Sequence, residues 1–253
     1  MTVRWLTAFV DVPASDVVAT TTFWARATGW TASAPEGGRG EYVTLVPDHG
    51  DAFLRIQRID DGPAGCHLDA YVDDVDGTIR HAVELGAVVE RPLDDGFVLR
   101  SPAGSAFCVF GHDGQAIRPS ATGIGDGPLT LLDQLCLDIP PAGYETECSF
   151  WSALLGWERR AAMLPEFSYL ERPAGIPLRL LFQRLDDTAS DRQPAAHLDI
   201  AAGEDLDGGA AVHEQLGARI LERHPFWIVM TDPAGLPYCL IRRPPNTGPV
   251  TSR

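Results

Sequence analysis

The sequence contains no lysine. All 20 of its basic residues are arginines, set against 35 aspartates and glutamates, so the formal net charge is −15. Schiff-base aldolases, pyridoxal-phosphate enzymes and Walker-type P-loop NTPases each need a lysine at a defined position. The absence of lysine therefore excludes these three classes.

Features of several other protein classes are also missing. No arginine-rich stripe interrupts the acidic background, so nucleic-acid binding is disfavoured. The five cysteines are scattered and form no CxxC motif, which indicates reduced thiols rather than disulfides or a zinc ribbon. There is no secretory signal pattern, and no apolar run reaches the roughly 18 residues of a membrane helix. We therefore expect a cytoplasmic protein that binds neither nucleic acid nor membrane.

The chain repeats its own pattern once. The pair Phe23-Trp24, followed by Gly29-Trp30, recurs 127 positions later as Phe150-Trp151 and Gly156-Trp157. Further matches follow in the same order at separations of 130 or 131: His67-Leu68-Asp69 with His197-Leu198-Asp199, Leu85-Gly86-Ala87 with Leu216-Gly217-Ala218, Pro102-Ala103-Gly104 with Pro233-Ala234-Gly235, and Cys108 with Cys239. A period this long indicates duplication of a whole domain rather than a solenoid.

We predict the domain boundaries from this repeat. The first copy covers residues 1–112 and the second covers 129–243. The segment 113–128 is rich in glycine, proline and aspartate, which predicts a linker, and 244–253 is predicted to be a disordered tail.

Each copy is predicted to contain the pattern β-α-β-β-β twice. In the first copy, strands are expected at 6–12, 42–46, 53–59, 67–72, 87–91, 97–100 and 106–110, and one further strand is poorly marked. Helices are predicted at 16–28, ended by Gly29, and at 77–85, ended by Gly86.

These motifs resemble the vicinal oxygen chelate superfamily, which contains glyoxalase I, bleomycin-resistance proteins, fosfomycin-resistance enzymes and extradiol dioxygenases. The resemblance rests on FW…GW after the first strand, the HLD sequence, LGA at the end of the second helix, and SPAG or DPAG before the last strand. It implies an α+β fold of two tandem glyoxalase-like domains, each with two βαβββ modules forming a cupped mixed sheet. Enzymes of this superfamily bind a divalent metal inside the cup.

The resemblance also implies three metal-ligand positions in each copy. They fall on Thr7, His67 and Cys108 in the first copy and on Gln134, His197 and Cys239 in the second. Family enzymes usually have glutamate at the last position, where both copies here have cysteine. Because cysteines in apolar strands are more often small buried hydrophobes, we expect no metal cofactor. The alternative is a divalent metal such as zinc on Gln134, His197 and an ionised Cys239.

Each copy also has a histidine and an aspartate two residues apart. His67 with Asp69, and His197 with Asp199, alternate along a predicted strand, so both members of each pair point to one face. In the catalytic interpretation, His197 is a general base steered by Asp199. In the structural interpretation, the pairs are hydrogen-bonded to neighbouring strands. Both interpretations place these side chains near a bound ligand.

Aromatic residues distinguish the second copy. Trp227 follows Phe226 where the first copy has Gly96-Phe97, and Tyr169 and Tyr238 are further aromatic candidates to lie with it. These side chains either form an aromatic wall of a ligand site or fill a tighter core. The predicted ligand-binding residues are Thr7, His67, Asp69 and Cys108 in the first copy, and Gln134, Tyr169, His197, Asp199, Trp227, Tyr238 and Cys239 in the second.

Three functions remain open on the sequence. The first is a metal-free protein that binds a small aromatic or cationic molecule, as the bleomycin-resistance branch does; the negative net charge favours a cationic ligand. The alternative is an enzyme, a glyoxalase-type lyase or isomerase or a dioxygenase, that uses the second copy. The third is a structural or regulatory protein with side chains filling both cups. In each case the two copies are expected to form an internal pseudo-dimer within a monomer.

Overall fold

The computed structural model describes residues 2–125, 127–189 and 192–245. Within these residues, each copy contains two helices and eight strands. In the first copy these are β1 (Val3–Pro13), α1 (Val17–Thr28), β2 (Thr31–Ala32), β3 (Tyr42–Val46), β4 (Leu54–Ile59), β5 (Gly65–Val72), α2 (Val75–Glu84), β6 (Val88–Pro92), β7 (Gly96–Arg100) and β8 (Ala106–Gly111).

The second copy repeats this order after one short extra strand. The extra strand is β9 (Thr122–Gly123), which lies in the segment predicted as a linker and pairs with the start of β10. The remaining elements are β10 (Leu129–Ile139), α3 (Tyr144–Leu155), β11 (Arg159–Ala161), β12 (Phe167–Leu170), β13 (Arg179–Arg184), β14 (Ala195–Ala201), α4 (Leu206–Gln215), β15 (Arg219–Arg223), β16 (Trp227–Thr231) and β17 (Pro237–Ile241).

The strands form two mixed sheets with the same topology. One has the order β2-β3-β4-β1-β5-β8-β7-β6, and the other has the order β11-β12-β13-β10-β14-β17-β16-β15, with β9 added beside β10. Strands β5 and β8 pair in parallel, as do β14 and β17. The predicted α+β fold of tandem glyoxalase-like domains is confirmed, including the poorly marked strand, which is the two-residue β2.

The predicted helices are present, and local capping explains where they begin and end. Helix α1 ends at Gly29, whose left-handed φ of 70° lets its N–H bond to the carbonyls of the last turn. Helix α2 begins at Val75, two residues before the predicted start, because the Asp74 carboxylate caps it by accepting the Gly77 N–H at 2.9 Å.

The chain forms two compact units, and each unit takes strands and helices from both copies. The first unit consists of Met1–Ala8, Cys66–Ala116 and Leu135–Ala196. Its core contains Phe107, whose ring centroid lies 5.8 Å from that of Phe150 and 5.0 Å from that of Trp151. The first unit therefore joins the second βαβββ module of copy one to the first module of copy two.

The second compact unit consists of Phe9–Gly65, Ile117–Gln134 and His197–Arg253. Its core brings the ring of Tyr238 within 5.7 Å of Phe23 and 5.2 Å of Trp24. This unit joins the first module of copy one to the second module of copy two.

The predicted domain boundaries stay a prediction, and residues 246–253 of the predicted tail lie outside the described residues. In the part of the chain that is described, no helix is both long and apolar enough to cross a membrane.

Candidate functional site

Strand register brings the predicted His, Asp and Cys residues of each copy together. Asp69 on β5 is the register partner of Cys108 on the parallel strand β8, and His67 lies two residues before Asp69. Register partners and residues two apart share one face of a sheet. Candidate ligand atoms of His67, Asp69 and Cys108 consequently lie within 4.8 Å of one another. We call these three residues the first cluster.

The first cluster is largely closed to solvent. His67 Nε2 lies 3.5 Å from Asp69 Oδ1, and that buried oxygen has no hydrogen-bond partner among the described residues. Burial raises the pKa of the Cys108 thiol to about 11, although a hydrogen bond with His67 opposes the shift. Thr7 is buried on β1, the strand beside β5 in the sheet.

The second copy repeats the arrangement. Asp199 on β14 is the register partner of Cys239 on β17, and His197 lies two residues before Asp199. His197 Nε2 is 3.3 Å from Asp199 Oδ1 and 3.6 Å from Cys239 Sγ. All three residues are buried. We call them the second cluster.

The second cluster has a polar support that the sequence did not reveal. Gln134 donates a hydrogen bond from Nε2 to Oδ2 of Asp199, which leaves Oδ1 facing His197. Arg243 donates from Nη1 to Gln134 Oε1 at 3.5 Å, and its Nη2 lies 3.3 Å from the carboxylate of Asp133. The signal that could have revealed this support is Asp133 itself, a carboxylate within the apolar strand sequence LLDQLCL.

The first copy lacks this support. At a separation of 127, Gln134 corresponds to Thr7 and Asp133 to Leu6, and at 131 Arg243 corresponds to His112. The two clusters therefore consist of the same three residue types, with the same strand register, and differ in what holds the aspartate.

The predicted aromatic residues do not all lie beside the second cluster. Tyr238 precedes Cys239 on β17 and so points to the opposite face, where its hydroxyl lies 2.8 Å from Nδ1 of His213. Trp227 lies two residues from Val229, the register partner of Cys239, and so shares that residue's face. Tyr169 belongs to the first compact unit, where the Arg179 guanidinium lies 4.4 Å above its ring.

A comparison with protein families identifies both copies. The family model described as a glyoxalase-like domain matches residues 7–110 and 134–241. The chain belongs to this family. This match confirms the predicted resemblance to the vicinal oxygen chelate superfamily, to which glyoxalase I belongs.

Three of those structures illustrate the shared fold of this glyoxalase-like protein. A 4-hydroxymandelate synthase mutant from Streptomyces coelicolor is 17% identical, with a TM-score of 0.59, covering 98% of this chain and 94% of its own. The Mn(II)-bound glyoxalase from Novosphingobium aromaticivorans is 17% identical, with a TM-score of 0.61 and coverage of 94% and 81%. BphC, a halotolerant catechol dioxygenase, is 11% identical, with a TM-score of 0.62 and coverage of 95% and 87%.

These identities are low enough that the likeness concerns the fold alone. A comparison with curated proteins found no match. Function must therefore be argued from the clusters themselves.

The donor atoms of the clusters fit a metal ion of the zinc class. Tetrahedral zinc, with bonds of about 2.0–2.3 Å to nitrogen, oxygen and sulfur, holds neighbouring donor atoms about 3.3–3.6 Å apart. The second cluster shows 3.3 Å between nitrogen and oxygen and 3.6 Å between sulfur and nitrogen. Moreover, Oδ1 of both Asp69 and Asp199 is buried without a hydrogen-bond partner in the described part of the chain. A cation among the three donors would satisfy that oxygen.

The same geometry disfavours a relay in which Asp199 steers His197 as a base. Such a relay needs the carboxylate on one ring nitrogen and the reacting proton on the other. Here Nε2 of His197 faces both Asp199 and Cys239. Convergence on one nitrogen is typical of ligands that surround a common ion, so the role of His197 as a general base stays a prediction that this arrangement does not favour.

Proposed function

We propose that this glyoxalase-like protein binds a small organic molecule beside the second cluster, and that His197, Asp199 and Cys239 hold a divalent metal ion of the zinc class there. One observation carries the proposal: His197 Nε2 lies at ligand-to-ligand distances from both Asp199 Oδ1 and Cys239 Sγ. The usual glutamate on the last strand is absent, but Asp199 supplies a carboxylate oxygen 3.3 Å from the histidine nitrogen that Cys239 also faces.

The support around Asp199 favours the second cluster over the first. Because the Gln134 amide occupies Oδ2, the carboxylate is held with Oδ1 toward His197. Residues that orient metal ligands in this way typically change metal affinity by about 10- to 100-fold. We therefore place the principal site in the second copy.

The donor set bears on the kind of chemistry such a site would support. When bound, a zinc-class ion polarises an oxygen of the ligand as a Lewis acid. Non-haem iron dioxygenases use two histidines and one carboxylate, whereas the second cluster offers one histidine and a thiol. If the protein is an enzyme, a glyoxalase-type lyase or isomerase therefore fits better than a dioxygenase.

Metal-free binding, as in the bleomycin-resistance branch, is the second candidate. The observation that favours it is the burial of the cysteines, which raises the pKa of Cys108 to about 11. A protonated thiol does not ligate zinc, so a metal would have to displace that proton. In this case the polar clusters would contact the small molecule directly.

Metal analysis separates the two candidates. The protein is purified without chelator, reconstituted with zinc, and its bound metal is measured together with its melting temperature before and after chelation. We expect tightly bound zinc that is lost in His197→Ala, with a matched His67→Ala variant reporting on the first cluster. Metal-free protein whose melting temperature ignores both zinc and chelator would contradict the metal proposal and support the second candidate.

A further inference from the structure

A cavity of about 350 Å³ opens in the first compact unit, away from both clusters. It lies at the start of α3 beside strands β11 and β12, and none of the His, Asp or Cys residues of the clusters lines it. Tyr144, Arg159, Ser168 and Arg184 contribute its polar surface. Two arginines facing one cavity are a notable feature in a chain whose net charge is −15.

Arg159 is fixed in position by buried neighbours. Its Nε donates to the Ser168 hydroxyl at 2.9 Å, and its guanidinium lies 5.2 Å above the ring of Tyr144. The hydroxyl groups of Tyr144 and Ser168 are themselves 2.9 Å apart, and both residues are buried. These contacts hold the two terminal nitrogens of Arg159 toward the cavity side occupied by Glu145.

Glu145 places a carboxylate on that guanidinium. Arg159 donates from Nη1 at 2.6 Å and from Nη2 at 3.2 Å to the two carboxylate oxygens. This two-point geometry is the way arginine recognises a planar carboxylate. The Glu145 side chain is 76% exposed. Because exposed ion pairs add little stability, another carboxylate can replace this one at small cost.

We propose that the cavity binds a small organic carboxylate, whose carboxyl group takes the place of Glu145 on Arg159. Arg184 adds a second guanidinium, whose Nη2 lies 3.6 Å from the exposed carboxylate of Asp187. Tyr144, Pro165 and Phe167 offer apolar surface for the rest of the molecule. The volume is at the lower end for ligand sites, which suits a single ring or a short aliphatic chain. We therefore infer a monocarboxylate of the benzoate size class.

The site is particular to the second copy. Positions 127 residues before Tyr144, Arg159 and Ser168 are Val17, Ala32 and Glu41, which supply neither the guanidinium nor the aromatic hydroxyl. The cavity is therefore a feature of this half of the chain rather than of the repeated domain. The acidic net charge opposes anions at long range, so we expect an affinity in about the millimolar range that weakens as the local arginines are screened by salt.

Titration with benzoate, followed by ligand-observed NMR and calorimetry, tests the proposal in the full chain. Arg159→Ala should weaken binding by about tenfold or more, and Arg159→Lys, which keeps the charge but loses the two-point geometry, should also weaken it. Glu145→Gln should tighten binding several-fold, because it removes the competing carboxylate. Arg160→Ala is the matched control, since Arg160 pairs with Glu158 and Glu171 and does not line the cavity.

Several outcomes would overturn the proposal. Absence of benzoate binding to the Glu145→Gln variant would do so, as would equal binding by the wild type and a folded Arg159→Lys variant. Phosphate that competes as well as benzoate would show a general anion site and contradict the carboxylate class. The titration is repeated in His67→Ala/His197→Ala protein: binding that survives there belongs to the cavity, so its result is independent of the metal proposal.

Discussion

Trp151 donates a hydrogen bond from its indole nitrogen to Oε1 of Glu147, one turn earlier on α3, at 2.8 Å. The same carboxylate accepts the Ser101 hydroxyl at 2.6 Å and the Ala103 backbone N–H at 3.0 Å. Glu147 is fully buried. A single carboxylate therefore joins helix α3 to the loop before β8 within the first compact unit.

Trp24, the residue that corresponds to Trp151 in the first copy, also donates its indole hydrogen bond to a carboxylate, but to one on a loop. Trp24 donates from its indole nitrogen to Oδ2 of Asp232 at 3.1 Å. Asp232 corresponds to Ser101 at a separation of 131, and Thr20 corresponds to Glu147 at 127. Both tryptophans therefore keep an indole hydrogen bond to a carboxylate. For Trp151 the carboxylate lies on its own helix, and for Trp24 it lies on the loop after β16.

We expect Glu147→Ala to destabilise the protein strongly. The substitution leaves the Trp151, Ser101 and Ala103 donors buried without their acceptor, and each unsatisfied donor costs about 1–3 kcal/mol. The measurement is the free energy of unfolding from urea denaturation. Glu145→Ala, two residues earlier on the same helix, is the control and should change stability by less than about 1 kcal/mol. Equal effects of the two substitutions would contradict this account of the buried carboxylate.

The free energy of unfolding should decrease as the pH is lowered from 7 to 5, because His213 is buried in its neutral form. Its ring is fully buried, with Nδ1 beside the Tyr238 hydroxyl, and burial lowers its pKa to about 4. Between about pH 6.5 and pH 4, His213 therefore binds a proton in the unfolded chain but not in the folded chain. The neutral histidine contributes its full share to the free energy of unfolding above pH 6.5, and about 2 kcal/mol of that free energy is lost between pH 7 and pH 5.

His213→Gln tests this assignment. The variant should lose that part of the pH dependence of the unfolding free energy, whatever its stability at pH 7. Asp232, whose pKa is raised by burial, lies in the same unit and acts in the opposite direction, and it is unchanged in the variant. A variant with the same slope as the wild type between pH 7 and pH 5 would show that His213 is not responsible.

Gln134→Thr should remove the hydrogen bond that orients Asp199, and so make the second cluster resemble the first. Threonine is the residue at the corresponding position of the first copy, and it cannot hold Oδ2 of Asp199 as the longer amide does. We expect zinc affinity at the second cluster to fall by about 10- to 100-fold. Competition with a chromophoric chelator measures this, and Thr7→Ala is the matched change in the first copy. If Gln134→Thr leaves affinity unchanged, the amide does not orient the ligand.

Cys239 should differ from the buried Cys148 in its effect on metal content. Cys239→Ala removes a proposed ligand and should release zinc from the second site. Cys148 is also buried but lies near the Ser168 hydroxyl in the first compact unit, so Cys148→Ala should leave metal content unchanged. Elemental analysis of the reconstituted variants decides the point. Retention of zinc by Cys239→Ala would remove the cysteine from the proposed ligand set.

Much of the fold could be predicted because it depends on neighbours in sequence. Strand and helix periods, the helix-ending glycines and the repeated motifs are local signals, and they placed α1, α2 and most strands within two or three residues of their observed bounds. The pairing of His with Asp was also predictable, since a separation of two on a strand always gives one face.

The third donor and its support could not be predicted in the same way. Strand register sets Asp69 beside Cys108 and Asp199 beside Cys239. In each pair the register depends on the packing of the helix and the two strands that connect the parallel strands. Arg243 reaches Gln134 across 109 positions. Tyr238 and Cys239 were both predicted to line the second site, yet adjacent strand residues point to opposite faces.

By itself, then, the sequence determined the duplication, the βαβββ modules and the residue types available for chemistry, because these follow from composition and short-range periodicity. Only the tertiary structure decided which modules share a core and which donors converge on one point. Those outcomes depend on packing and strand register between segments that lie from about 40 to about 200 positions apart in the sequence, where the burial of apolar surface outweighs any local preference.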